Sequence, residues 1–439
     1  MTSAKITTMR AHPFRLRLAR LCTVVVVGAA MAVSLPAGAV AAPDPAPVDF
    51  HQWRSLPELL SGRTEGLLPA PLGGLRIGRP VGTVEHTEPD LGTTRRYEYG
   101  RWTSPLYRPG FDANQLVASW NARTPAATWL QVEMQGRTDA GVSTAWYVMG
   151  RWALGDTDVI RTSLPAQSDE SGFVDVDTFV ARGAVRLRAY QLRVTLYREA
   201  GSHASPTLAM IGAMASAVPD RFTVPLSAPG PARGIELPVP RYSQNIHIGE
   251  YPQYGGGGEA WCSPTSTEMV VEYWGRRPSP ADLAWVDPSY PDPSVDHAAR
   301  YTYDKDYDGT GNWPFNTAYA ASFGLSGHVT RLKSLTELER YIRAGIPVVT
   351  SQSFRADELD GAGYGTAGHL MVIVGFTENG DVIANDPASS GNDEVRNVYR
   401  RDQFETIWLR TKRYTASGSV AGGSGGIAYI IKPVWWRGP

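Results

Sequence analysis

Two stretches, "TWLQVEMQ" (128–135) and "AYQLRVTLYR" (189–198), constrain the first half of this chain more than any other feature. In the first, Leu130, Val132 and Met134 alternate with Gln131, Glu133 and Gln135. In the second, Tyr190, Leu192, Val194 and Leu196 alternate with Gln191, Arg193, Thr195 and Tyr197. A strand sends successive side chains to opposite faces, so a period of two means one apolar and one polar face. Gly, Pro and Asp turns separate such runs, and no helical pattern comes between them. This predicts antiparallel strands in an all-β, jelly-roll-like sandwich over residues 76–217. The 45 Gly and 33 Pro suit so many turns. Residues 42–75 show no period and read as an extended lead-in. The Pro-rich 218–236 reads as a linker, so the sandwich is expected to be separable.

From 237 to 439 the pattern mixes helix and strand. Helices are predicted at 263–274, 314–323 and 335–344, the last opened by an S-x-x-E capping box at Ser334–Glu337. Strands are predicted at 348–352, 369–376, 382–385 and 427–431. This is an α+β domain.

The first 43 residues carry five basic and no acidic residues, then a 15-residue apolar run and small residues at 37–41. This is the layout of a secretory signal peptide over residues 1–41, and it implies a secreted protein with no membrane span after its removal. Removal takes Cys22 away and leaves Cys262 as the one cysteine. It also leaves 37 basic residues against 43 acidic ones, a net charge near −6 that argues against nucleic acid as a partner.

Cys262 stands in "GGGGEAWCSPTSTEMVVEYWG" (255–275), where a glycine-rich loop becomes a helix. The start of a helix offers unpaired N–H groups and partial positive charge, which favour a thiolate nucleophile. A buried structural cysteine is the plain alternative. A thiolate needs a base, and the base an orienting group. "GTAGHLMVIVGFTENGDVIANDPAS" (365–389) offers both, as His369 and Asp386 on two strands joined by a turn. A four-residue loop sets His369 across from Ala388, with Asp386 diagonal on the same face.

The order Cys, His, Asp resembles that of the papain-like cysteine peptidases, and more closely family thirty-nine, the bacteriocin-processing peptidases and their relatives. The resemblance covers 237–437 and rests on "VPRYSQ", "WCSPTSTEMVVEYWG", "AGHLMVIVGFTENGDVIANDP", "YRRDQFETIWLR" and "GGIAYII". It implies a papain-like fold in which Cys262 attacks a peptide carbonyl, His369 takes its proton, Asp386 orients His369, and Gln244 helps to hold the oxyanion. Gln253 competes for that last role. Ser263 stands where the family usually has Gly, and the Gln lies farther from the Cys than usual.

Gly258, Trp261, Asn312, Trp313 and Gly368 are expected to line the substrate cleft. Peptides or proteins are the expected substrates. Attack on an amide also fits an acyl transferase or amidase acting on cell-wall peptides. A secreted binding protein with an inactive papain-like domain is the other class. No cofactor is expected, with calcium raised only by residues 304–315. There Asp304, Asp306, Asp308 and Gly309 have the spacing of a calcium loop, but Phe315 stands at its twelfth position. Trp102, Trp120, Trp129, Trp146 and Trp152 are either core or stacking platforms for a carbohydrate or cell-surface ligand.

Overall fold

In this computed structural model, which describes residues 47–436, the two alternating runs are neighbours. They pair antiparallel, with Leu130 opposite Leu196, Val132 opposite Val194 and Met134 opposite Leu192. All six side chains are buried, so one face of the pair supplies core.

The N-terminal half opens with strand β1 (Val48–Trp53) and helix α1 (Leu56–Ser61). Three short strands follow, β2 (Arg63–Glu65), β3 (Leu67–Pro69) and β4 (Leu75–Ile77). Then come β5 (Gly82–Glu88), β6 (Thr93–Thr103), β7 (Gln115–Arg123), β8 (Thr128–Thr138) and β9 (Tyr147–Trp152). The hairpin β10 (Gly172–Asp175) and β11 (Thr178–Ala181) precedes the long β12 (Leu187–Glu199) and β13 (Thr207–Ser216). One sheet runs β10-β11-β7-β13-β4-β3, with β1 also on β13; the other runs β2-β6-β12-β8-β9, with β5 also on β6. Every pairing is antiparallel, and side chains of both sheets meet in one core built around Trp102, Trp120 and Trp152.

The expected lead-in is therefore folded from Val48 onward. β1 pairs along its whole length with β13, from Val48 opposite Ser216 to Trp53 opposite Ile211. α1 is opened by a capping box between Ser55 and Glu58, and its Leu59 carbonyl accepts from the indole N–H of Trp102. Strands of three residues are too short to show a period, which is why the sequence hides them.

The C-terminal half begins with β14 (Ile235–Glu236). Three helices follow, α2 (Cys262–Tyr273), α3 (Pro293–Thr302) and α4 (Trp313–Ser322), and then β15 (Leu325–Arg331) and α5 (Leu335–Arg343). Next come β16 (Val348–Phe354), β17 (Thr366–Phe376), β18 (Val382–Asn385), β19 (Arg396–Tyr399) and α6 (Arg401–Leu409). A small ribbon of β20 (Lys412–Tyr414) and β21 (Val420–Gly422) leads to β22 (Ile427–Pro433). The sheet order is β15-β22-β16-β17-β18-β19, with β14 on β17. Both faces are covered. Val349, Leu370 and Val372 pack with Met269 and Val270 of α2, while Val348, Met371 and Ile373 pack with Leu338 of α5 and Phe404 of α6. Strands with both faces covered read as continuous apolar runs, as 370–374 does.

The halves share a core. Phe315, Ala318 and Tyr319 of α4 join the tryptophan cluster, with the Phe315 ring 5.4 Å from Trp152 and 6.0 Å from Trp120. Burying one such side chain contributes about 1.5–3 kcal/mol. Asn121 of β7 donates to the Gly327 carbonyl, and the Val329 N–H of β15 donates to Ser119. Residues 218–236 are not a free tether either. Ser227 is held by Glu405, and the N–H groups of Gly230 and Ala232 donate to the Glu339 carboxylate. The described residues 47–436 thus make one compact unit. The expected signal peptide falls on residues outside those described, and among the described residues no helix is long and apolar enough to cross a membrane.

Of the two readings of the tryptophans, core holds for four of the five. Trp102, Trp120, Trp129 and Trp152 are buried. Trp146 is half-exposed, but the Arg193 guanidinium lies 4.2 Å over its ring.

Candidate active site

Cys262 is the first residue of α2 and carries a free thiol that is neither buried nor fully exposed. The chain reaches it through Gly255, Gly256 and Gly257, whose φ angles are 72°, 102° and 114°. Only glycine adopts these freely, and they turn the chain from Tyr254 into the short 3-10 turn Gly258–Ala260 ahead of the thiol. First-turn N–H groups have no partner within the helix, so donors and partial positive charge surround the sulfur. The unusual Ser263 points away from this chemistry, since its hydroxyl is buried 2.9 Å from the Tyr429 hydroxyl.

His369 lies on β17 and Asp386 just past the end of β18. The hairpin pairs Val372 with Asn385, the register expected of a four-residue loop. The loop is one residue longer, with Phe376 opposite Val382, and a bulge between Ile373 and Gly375 restores the register. The two side chains meet diagonally, with His369 Nε2 2.8 Å from Asp386 Oδ1. That leaves Nδ1 for Cys262, which lies near enough to help raise the ring's basicity.

The carboxylate is held on every side. Oδ1 also accepts from the Ala388 N–H at 3.0 Å, and Oδ2 accepts from the Tyr364 hydroxyl at 2.8 Å and the Tyr399 hydroxyl at 2.7 Å. Burial alone would push Asp386 up, but the charge of His369 and these donors hold it below its ordinary value. Burial alone would pull His369 down. The charge and hydrogen bond of Asp386, with the nearby Cys262, outweigh this and hold it at about 10.

Cys262 and His369 open on a cleft of about 1030 Å³, lined also by Gln244, Trp313, Tyr364 and Gly368. The turn between β10 and β11, residues 175–178, reaches over from the N-terminal half to form one wall. The Trp313 N–H donates to Asp177 Oδ2 over 2.8 Å and ties that wall to α4. Burial, with Asp304 and Asp175 nearby, pushes Asp177 up to about 7 against the pull of its hydrogen bonds from Trp313 and Thr178. Asp175, Asp177, Glu259 and Asp308 line the cleft, and no Lys or Arg does. Gln352, directly opposite His369 on β16, is buried in the lining with neither amide atom bonded to the protein.

Of the five residues expected to line the cleft, Trp313 and Gly368 do so. Gly258 does not: a side chain there would meet the His247 carbonyl carbon at 2.3 Å, so it is a packing glycine. Trp261 is fully buried, with its indole N–H on the Tyr254 carbonyl. Asn312 is buried as the N-cap of α4, accepting from the Phe315 N–H and donating to Asp304. The resemblance of 304–315 to a calcium loop also ends at spacing. Asp304 is buried and accepts from the Ser163 N–H, the Ser163 hydroxyl and Asn312, and Phe315 lies in the core. Gln244 is buried beside the cleft and donates to the Glu259 carbonyl at 2.7 Å, whereas Gln253 is exposed.

Sequence reasoning missed Tyr364, Tyr399, Gln352 and the 175–178 turn. Tyr399 is the last residue of β19, which pairs with β18, and Asp175 and Asp177 lie at the hairpin turn between β10 and β11. The only local signals were tyrosines near strand ends and a short V-D-V-D turn.

A thiol at a helix start facing an imidazole–carboxylate pair on an antiparallel sheet is the arrangement of papain-like cysteine peptidases. Two protein-family models match the chain, the Peptidase C39 N-terminal domain over residues 49–216 and the Peptidase C39-like family over 236–416. The chain belongs to the C39-like peptidases. Among solved structures it is similar to a Bacillus anthracis protein described as C39-like, at 18% identity over 47% of this chain and 98% of that one, with a TM-score of 0.28. A hypothetical protein from Leishmania major matches at 12% identity over 34% of this chain and 75% of that one, with a TM-score of 0.10. No curated protein matches the sequence.

Proposed function

We propose that this is a secreted cysteine peptidase that hydrolyses peptide bonds through Cys262, His369 and Asp386. The observation that carries the reading is a thiol and an imidazole opening on one cleft, with the imidazole held by a four-fold hydrogen-bonded carboxylate. In this reading Cys262 attacks the carbonyl carbon as a thiolate, its proton already held on His369 Nδ1. The resulting oxyanion is met by the Cys262 N–H and by Gln244. The C–N bond breaks, His369 returns the proton to the departing amine, and a thioester remains. Water, deprotonated by His369, then releases the acid and frees the thiol. Asp386 stays ionised throughout and fixes the ring.

The N-terminal half reads as a β-sandwich that helps to build the cleft through its 175–178 turn. The acidic lining favours substrates with a Lys or Arg side chain near the cut bond, and the unbonded amide of Gln352 suits a substrate peptide group. The signal-peptide layout of residues 1–41 supports export.

Profiling the full chain against a peptide library, with Cys262→Ala as the blank, tests this. Cleavage by the wild type and none by the variant is the expected result. A wild type that cleaves nothing under reducing conditions yet retains peptides would favour the binding-protein reading. Products extended by an added amine would favour acyl transfer.

A further inference from the structure

Away from the cleft, His247, Glu250 and Asp296 meet in the interior. His247 and Asp296 are fully buried and Glu250 is 7% exposed. His247 Nδ1 lies 2.6 Å from Glu250 Oε2 and 3.7 Å from Asp296 Oδ2, and the three ligand atoms lie within 4.8 Å of one another. Two features are unusual for a purely structural cluster. Neither oxygen of Asp296 has a hydrogen-bond partner in the protein, although buried carboxylates are ordinarily fully bonded. Neither acid has a Lys or Arg ion-pair partner among the described residues; the basic group paired with both is His247. Two buried acids that share a single imidazole are costly to leave charged.

We propose that His247, Glu250 and Asp296 bind one divalent transition-metal ion such as Zn²⁺ or Mn²⁺. One imidazole nitrogen and two carboxylates make a mixed N,O set that suits these ions better than Ca²⁺ or Mg²⁺, which favour oxygen alone. With metal–ligand bonds of about 2.0–2.2 Å, ligands on one ion lie roughly 3–4 Å apart, so a small adjustment gathers these three. The His247–Glu250 hydrogen bond opens as the ion takes the place of its proton, and the ion's charge neutralises both acids. The role is structural. His247 and Glu250 belong to the turn between Gln244 and the glycine loop of Cys262, and Asp296 belongs to α3. The ion would pin that turn to the helix and steady the approach to the thiol.

The test uses the full chain carrying Cys262→Ala, so that thiol and imidazole cannot themselves capture metal. After chelator treatment, the protein is loaded separately with Zn²⁺, Mn²⁺ and Ca²⁺ and desalted. Bound metal is counted by mass spectrometry, and thermal unfolding is recorded. The expected result is one equivalent of Zn²⁺ or Mn²⁺ and a Tm rise of about 3–5 °C at a hundredfold excess over Kd. Asp296→Asn, or Glu250→Gln should that variant not fold, should retain no metal and show no rise. A parent protein that neither retains Zn²⁺ or Mn²⁺ nor gains Tm overturns the proposal. So does a rise with Ca²⁺ alone, or an equal rise in the variant.

Discussion

The Tyr399 hydroxyl donates to Oδ2 of Asp386 over 2.7 Å. With Tyr364 it occupies the side of the carboxylate that His369 does not touch. A tyrosine hydroxyl can accept as well as donate. An Asn amide at 386 could therefore keep the whole network, with its oxygen toward His369 and Ala388 and its N–H groups toward the two tyrosines.

This yields the first prediction. Asp386→Asn keeps the ring oriented and loses only the charge, so it should retain more turnover than Asp386→Ala. The charge is also what holds His369 at about 10, so in the Asn variant the alkaline limb of kcat should move down toward the ordinary histidine value of 6.5. The pH profiles of the two proteins check it. Equal limbs would mean that Asp386 does not set the charge state of His369.

The same pair makes stability depend on pH. A raised histidine contributes fully below its unfolded value of 6.5; the contribution shrinks above that and is gone once pH passes about 10. The depressed Asp386 contributes above the ordinary carboxylate value, and its share is lost as pH falls through its lower folded value. The Tm gap between wild type and Asp386→Asn should be widest near pH 5–6 and narrow toward pH 10. A gap that grows with pH would contradict the sign of the His369 shift.

The pairing of His369 with Asp386 was legible because the hairpin is local: two strands, one turn and a period of two fix which side chains share a face. Its surroundings were not. Tyr364 reaches Asp386 from the loop before β17 and Tyr399 from the end of β19, and the meeting of such segments leaves no trace in composition. Gly258 and Trp261 looked like cleft residues because they adjoin Cys262 in sequence, but the 3-10 turn faces them into packing. The contact between the halves was hidden for a related reason. Alternation marks which face of a strand is apolar, not what covers it, and here Phe315 of α4 covers part of it.

That shared core gives a third prediction. Residues 235–439 alone would expose Phe315, Ala318 and Tyr319 together with the β15 edge that β7 satisfies. The fragment should be insoluble or molten, and the full chain should unfold in one transition. Phe315→Ala should destabilise the whole chain by about 3–5 kcal/mol. Two separate calorimetric transitions, with Phe315→Ala moving only one, would restore independent domains.

The wall at 175–178 predicts specificity. Asp175 is exposed at the cleft and Asp177 is anchored by Trp313, so Asp175 is the residue free to meet a substrate cation. Asp175→Asn should lower kcat/KM a few-fold for peptides with Lys or Arg near the cut, mostly through KM, and leave neutral peptides unchanged. An exposed pair is worth little in salt, so the difference should fade as ionic strength rises. A uniform loss across all peptides would point instead to a disturbed turn.

The last prediction concerns the oxyanion. Charge develops on the carbonyl oxygen as Sγ attacks, and the Cys262 N–H supplies one donor at the helix start. A second donor must be neutral, near and held still. Gln244 meets these needs. It lines the cleft with Cys262, and its own N–H donates to the Pro387 carbonyl at 2.8 Å, tying it to the turn that carries Asp386. One side-chain N–H is occupied by the Glu259 carbonyl, which fixes the amide and leaves its second N–H to serve. Gln253 sits exposed in the glycine loop and does not line the cleft. Losing one such donor typically costs about 100- to 1,000-fold in turnover. Gln244→Ala should therefore lower kcat far more than KM, while Cys262 is alkylated at nearly the wild-type rate. Gln253→Ala should change neither. If Gln253→Ala gives the kcat loss and Gln244→Ala does not, the second donor comes from the loop, and the glycine run must close over the substrate to deliver it.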